Sequence, residues 1–122
     1  MNPNMMKLLP QEIELWYVIP ALRREFAMNM STLGMKNVKI AEVLGLTKAA
    51  VSQYFSKTRA VEFKFGEEIK NEIRESVARI INGQEPRLEM QRIINILREN
   101  KSVCKFHHLK EKLDKDCDMC FK

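Results

Sequence analysis

Cys104, His107, His108, Cys117 and Cys120 are the only cysteines and histidines in the chain, and they fall in one stretch, CKFHHLKEKLDKDCDMC. Two residues separate Cys104 from His107, and two separate Cys117 from Cys120. A tight turn in each such pair would aim both side chains at one point, and two pairs complete a tetrahedral set of three thiolates and an imidazole, which suits zinc. The expected ligands are therefore Cys104, His107, Cys117 and Cys120, with His108 as a substitute. An iron–sulfur cluster is the alternative; it usually takes four cysteines and would need His107, a partner chain or an open iron. A calcium loop is suggested by Asp114, Asp116 and Asp118 but fails, because Met119 stands where such a loop needs glycine. The odd number of cysteines argues against a disulfide framework. A tail this short buries little, so a metal is also expected to keep it ordered.

The second concentration of chemistry is charge. Residues 36–64 carry six cations, Lys36, Lys39, Lys48, Lys57, Arg59 and Lys64, against two carboxylates, Glu42 and Glu62, and so hold most of the chain's net charge of +5. A basic segment this local is what a polyanion such as nucleic acid requires. No carboxylate pair, Ser/His/Asp set or glycine-rich phosphate loop stands out, and a Cys104–His107 nucleophile would lack a third orienting group, so no enzyme is expected.

These groups must be held by helices. Apolar residues recur at helical spacing along nearly the whole chain, without a convincing alternating run, which predicts an all-α fold. With 122 residues, 45% of them hydrophobic, the chain can bury one core. A first helix is expected from Pro10 through Ile13, Leu15 and Trp16, broken or kinked at Pro20, with Trp16, Tyr17 and Phe26 in the core. ALRREFAMNMSTL then sets Leu22, Phe26 and Met30 on one stripe, with Gly34 as a C-cap. Ile69, Ile73, Val77, Ile80 and Ile81 mark a further helix, ending at Gly83. Leu88, Ile93, Ile94 and Leu97 mark another, opening at Pro86. The expected organisation is an N-terminal tail (1–9), a DNA-binding unit (10–65), two helices completing the bundle or a dimer surface (66–100) and a Cys/His metal-binding tail (101–122).

The middle segment, NVKIAEVLGLTKAAVSQYF, reads as two short helices joined by a tight turn. Ala41 is small where the helices cross, Gly45 supplies a positive φ, Thr47 caps the second helix, and Ile40, Leu44, Leu46 and Val51 hold the pair together. At about 100° per residue, Lys48, Ala49, Ser52, Gln53 and Ser56 share one face of the second helix, opposite Ala50, Val51 and Tyr54. A helix entering the major groove needs such a face of short and hydrogen-bonding side chains, and glutamine suits a bidentate contact with adenine. The expected base contacts are Lys48, Ala49, Ser52 and Gln53. The expected phosphate contacts are Lys36, Lys39, Thr47, Ser56, Lys57, Arg59 and Lys64.

On these residues, KIAEVLGLTKAAVSQYFSKTRA resembles the helix-turn-helix of Cro/repressor-like (XRE-type) transcriptional regulators. LPQEIELWYVIPALRREFA and the cysteine-rich end together resemble an archaeal subgroup of such regulators. The resemblance implies a lambda-repressor-like helical bundle, sequence-specific binding of double-stranded DNA, and a homodimer. A different class, an adaptor bridging proteins of the transcription machinery, would use the same helical unit and metal knuckle without reading sequence. The longest uncharged apolar run, LWYVIPAL, falls far short of the roughly 20 residues that span a bilayer. MNPNMMK lacks the features of a secretory signal, so a cytoplasmic protein is expected.

Overall fold

Pro20 does not end the first helix. The structure, a computed structural model, describes the backbone of residues 8–56 and 63–111 and the side chains of all of these but 108–111. Helix α1 (Pro10–Ile13) runs into a π-helical turn (Glu14–Val18), which runs directly into α2 (Ile19–Thr32). Ile19 has helical angles (φ −62°, ψ −46°), and its N–H donates to the carbonyl of Glu14, five residues back. The expected break is thus replaced by a widened turn. Proline has no amide hydrogen and its ring crowds the carbonyl four residues earlier, and the wider turn absorbs both effects.

The extra residue in that turn also changes which side chains face inward. In an unbroken α-helix the residues three and four after Ile13, namely Trp16 and Tyr17, would lie beside it. Instead Ile13 and Val18, five apart, are both fully buried, while Leu15 and Trp16 are 58% and 53% exposed. The expectation that Trp16 belongs to the core is overturned. Tyr17 is half-buried and packs on Phe106, with ring centroids 5.2 Å apart.

Beyond the turn α2 is the axle of the fold. Leu22, Phe26 and Met30 are completely buried, as their spacing predicts, and α2 touches α3 (Asn37–Leu44), α4 (Lys48–Phe55) and α5 (Glu67–Ile81). Each of these side chains contributes about 1.5–3 kcal/mol by leaving water. Helix α6 (Pro86–Glu99) packs on α5, and α7 (Ser102–Glu111) packs on α6 and returns to α1. The described residues are all-helical apart from turns and short extended links.

Helix α7 lies where a metal-ordered tail was expected. Burial holds it: Val103 and His107 are each 2% exposed, and Phe106 packs edge-on against Phe63 with centroids 5.1 Å apart. Apolar packing of Val103 and Phe106 thus contributes to holding the first turns of α7. Phe63 and Phe65 are buried with Lys64 exposed between them, so this short link between α4 and α5 is itself part of the core.

Two ionic clusters fix the helices against each other. The guanidinium of Arg98 donates to both carboxylate oxygens of Glu14, Nε to Oε2 at 2.6 Å and Nη2 to Oε1 at 2.7 Å, joining the π turn to the end of α6. Between α5 and α6, Arg92 donates to Glu72 (2.7 Å) and to the buried Ser76 hydroxyl (2.7 Å), while Arg79 donates to Glu89 (2.9 Å). Glu89 is 5% exposed, and the neighbouring Leu88, expected in the stripe, is 61% exposed.

Lys101, between α6 and α7, has φ +63°, whereas the other positive-φ positions among the described residues, Gly34, Gly45 and Gly83, are all glycines. A side chain is strained in this region, so Lys101→Gly should stabilise the protein by about 0.5–1 kcal/mol, after allowing for the freer unfolded chain. A higher urea midpoint at unchanged slope would show it. Burial alone would raise the pKa of Glu89, but hydrogen bonds from Arg79 and Ser76 and the charges of Arg79 and Arg92 outweigh it and hold the carboxyl below its ordinary value. A lowered carboxyl pKa contributes stability that is complete above the unfolded value, about 4.3, and is lost as pH falls through the folded one. Glu89→Gln should therefore cost about 1–2 kcal/mol at pH 7, and the gap from the parent should close as the pH falls below the ordinary glutamate range. Urea unfolding across that range checks both points.

Candidate functional site

The basic segment folds into the α3–α4 pair. Lys36 is the N-cap of α3, and Ile40 and Ala41 are its buried residues. Gly45 has φ +66° and ψ 35°, and the following Leu46 N–H donates back to the Ala41 carbonyl at 2.8 Å. A left-handed residue at this position reverses the chain within one step and satisfies carbonyls at the helix end. The chain then enters α4 at Thr47, whose hydroxyl accepts from the Ala50 N–H at 3.0 Å.

Helix α4 is held at both ends and along its inner face. Val51 and Tyr54 are buried, and Ala50 and Phe55 are half-buried. At its C-terminal end Arg24 of α2 donates through Nε to the Tyr54 carbonyl at 3.2 Å. A cation at this end also complements the negative pole of the helix dipole. The opposite face is open: Lys48, Ala49, Ser52, Gln53 and Ser56 are all exposed. The Ser56 hydroxyl donates to the Gln53 carbonyl at 3.0 Å, closing the last turn. With the packing carried by one face, the other presents only a lysine, a methyl group, two hydroxyls and a carboxamide.

Lys36, Lys39 and Thr47 are exposed on the same helix pair, with Lys39 3.8 Å from Glu42 in a solvent-facing pair. Such pairs contribute little, so Lys39 keeps most of its use as a cation. Lys64 is placed differently: it lines a cavity together with Arg24, Glu25 and Lys70. Lys57 and Arg59 lie outside the described residues.

Cys104 and His107 sit one turn apart on α7 rather than on the tight turn expected of a knuckle. The cysteine is half-buried and free, and the histidine faces the core. Residues three apart on a helix share a face, which sets the two side chains on one side of α7. Cys117, Cys120 and the side chain of His108 lie outside the described residues. Among the described residues no three metal-ligating side chains gather, and no helix is long and apolar enough to cross a membrane.

Arg24 and the Phe63–Phe65 link are the site features that the sequence reading passes over. The alternation in FKF is a visible signal for a buried link, whereas the hydrogen bond from Arg24 to a residue thirty positions away leaves no local trace. No protein-family model, no curated protein and no solved structure matches the chain.

Proposed function

We propose that the α3–α4 pair is a helix-turn-helix of the Cro/repressor type, and that the protein is a sequence-specific DNA-binding regulator of transcription. The observation that carries this reading is the exposed face of α4. It combines one cation with small and hydrogen-bonding groups, on a helix capped by Thr47 and anchored by Val51, Tyr54 and Arg24. In the major groove Gln53 would read a base edge, Lys48 and Ser52 would add contacts, and Ala49 would meet a thymine methyl. Lys36, Lys39, Thr47 and Ser56, with Lys57 and Arg59, would hold phosphates and set the register. Two copies would place their α4 helices in successive grooves about 34 Å apart. Ile81 and Leu88, exposed around the α5–α6 turn, favour that end of the molecule for pairing.

Selection from random duplexes should enrich one sequence pattern with two related half-sites. Gln53→Ala should lower discrimination at one base pair of each half-site by about 1–3 kcal/mol while keeping affinity for unrelated duplex. Enrichment of no sequence would favour the bridging adaptor, and an unchanged preference in the variant would remove Gln53 from the base contacts.

We further propose zinc on Cys104, His107, Cys117 and Cys120, because the chain's cysteines and one of its histidines form two spaced pairs and Cys104 and His107 share a helix face. Protein purified without oxygen should hold one zinc per chain and absorb no visible light. Cys104→Ser should lose most of that zinc yet keep its helical circular dichroism, since α7 is anchored by burial. Iron with sulfide in the parent would replace zinc by the cluster reading.

A further inference from the structure

Between α2, the Phe63–Phe65 link and the start of α5 lies a cavity of about 330 Å³. This is within the size range of pockets that hold small organic ligands. Three cations reach it, Arg24, Lys64 and Lys70, against one carboxylate, Glu25. Among the described residues none of the three has a carboxylate within salt-bridge distance. The remaining wall is apolar: Phe63 and Phe65 pack on each other with centroids 5.3 Å apart, which fixes their rings.

We infer that this cavity binds a small organic anion of about two negative charges with a flat apolar body, a phosphate monoester or a dicarboxylate. Each half of that description answers a feature of the wall. A bare inorganic anion would meet the cations but make no contact with the edges of Phe63 and Phe65 that border the cavity. A neutral ring would cover that surface and leave three like charges facing one another with a single carboxylate between them. The ligand satisfies both.

Arg24 gives the site a consequence. Arg24 lines the cavity and, through Nε, donates to the Tyr54 carbonyl at the last turn of α4. An anion that draws this side chain toward the cavity weakens the C-terminal anchor of α4, so the ligand regulates the exposed α4 face. Binding itself is independent of what α4 touches; only the effect on DNA rests on the function proposed above.

Calorimetric titration of the full chain with phenyl phosphate, phthalate, phenol and inorganic phosphate tests the inference. Phenyl phosphate or phthalate should fill one site, with phenol and inorganic phosphate at least about tenfold weaker. The tighter of the two organic anions identifies the ligand's charged group. The variant carrying Lys64→Gln and Lys70→Gln, changes at an exposed and a half-buried position, should lose about tenfold in affinity for it. Equal binding by parent and variant, or no preference for the organic anions over phenol and phosphate, would overturn the site. Affinity for the selected duplex, measured with and without the anion, then separates the two readings. An anion that binds while no duplex is selected leaves the cavity site standing and removes the proposed function. A duplex that is selected while none of the four probes binds does the reverse.

Discussion

Pro20 has no amide hydrogen to donate, and the first rod continues past it only because the turn from Glu14 to Val18 is wound one residue wider. Much of the arrangement depends on that turn. It brings Ile13 and Val18 onto one buried face, and it sets the carboxylate of Glu14 where Arg98 can take both oxygens. Through this fork, residues 84 positions apart are joined, and the end of α6 is held beside the π turn. Helix α7, following directly, is delivered onto α1, where Tyr17 and Phe106 meet.

The same rod governs the α3–α4 pair from the other end. Leu22, Phe26, Ala27 and Met30 make α2 a rigid apolar post, and Val51 and Tyr54 are the points at which α4 leans into the core. Those two side chains carry the packing, so the outer face of α4 carries none of the apolar core, although the Ser56 hydroxyl closes the last turn on the Gln53 carbonyl. Arg24 adds a polar tie to this apolar seat.

Local chemistry was the legible part of the sequence. Gly34, Gly45 and Gly83 each take the positive φ their positions suggest, Thr47 caps α4, and the stripes of α2 and α5 are buried with few exceptions. The failures have physical causes. Trp16 was placed inward by a 3.6-residue period that the π turn does not obey. Leu88 fits the apolar stripe by type, but a hydrophobic pattern cannot register the neighbouring carboxylate of Glu89, buried among Arg79, Arg92 and Ser76. Helix α7 was missed because cysteine and histidine spacing drew the reading toward metal, while Val103 and Phe106 find their partners only in the folded chain. For the α4 face, the sequence alone sorted the inward from the outward residues, because a short helix with two anchors offers a single solution.

Helix α7 is anchored by the burial of Val103 and His107 and by the Phe106 ring, with Cys104 half-buried beside them. Phe106 of that helix stacks on Phe63, Phe63 on Phe65, and both phenylalanines wall the cavity that Arg24 shares with the end of α4. Packed rings thus run from the cysteine-bearing helix to one wall of the cavity, and Arg24, on another wall, is hydrogen-bonded to the last turn of α4. On the function proposed above, a metal at the C-terminal end and an anion in the cavity would act on the same link, residues 63–65. Rings held in edge-to-face contact cannot tilt independently. A shift of α7 would therefore reshape the cavity wall, and by reciprocity an occupied cavity would alter the affinity of the proposed zinc site.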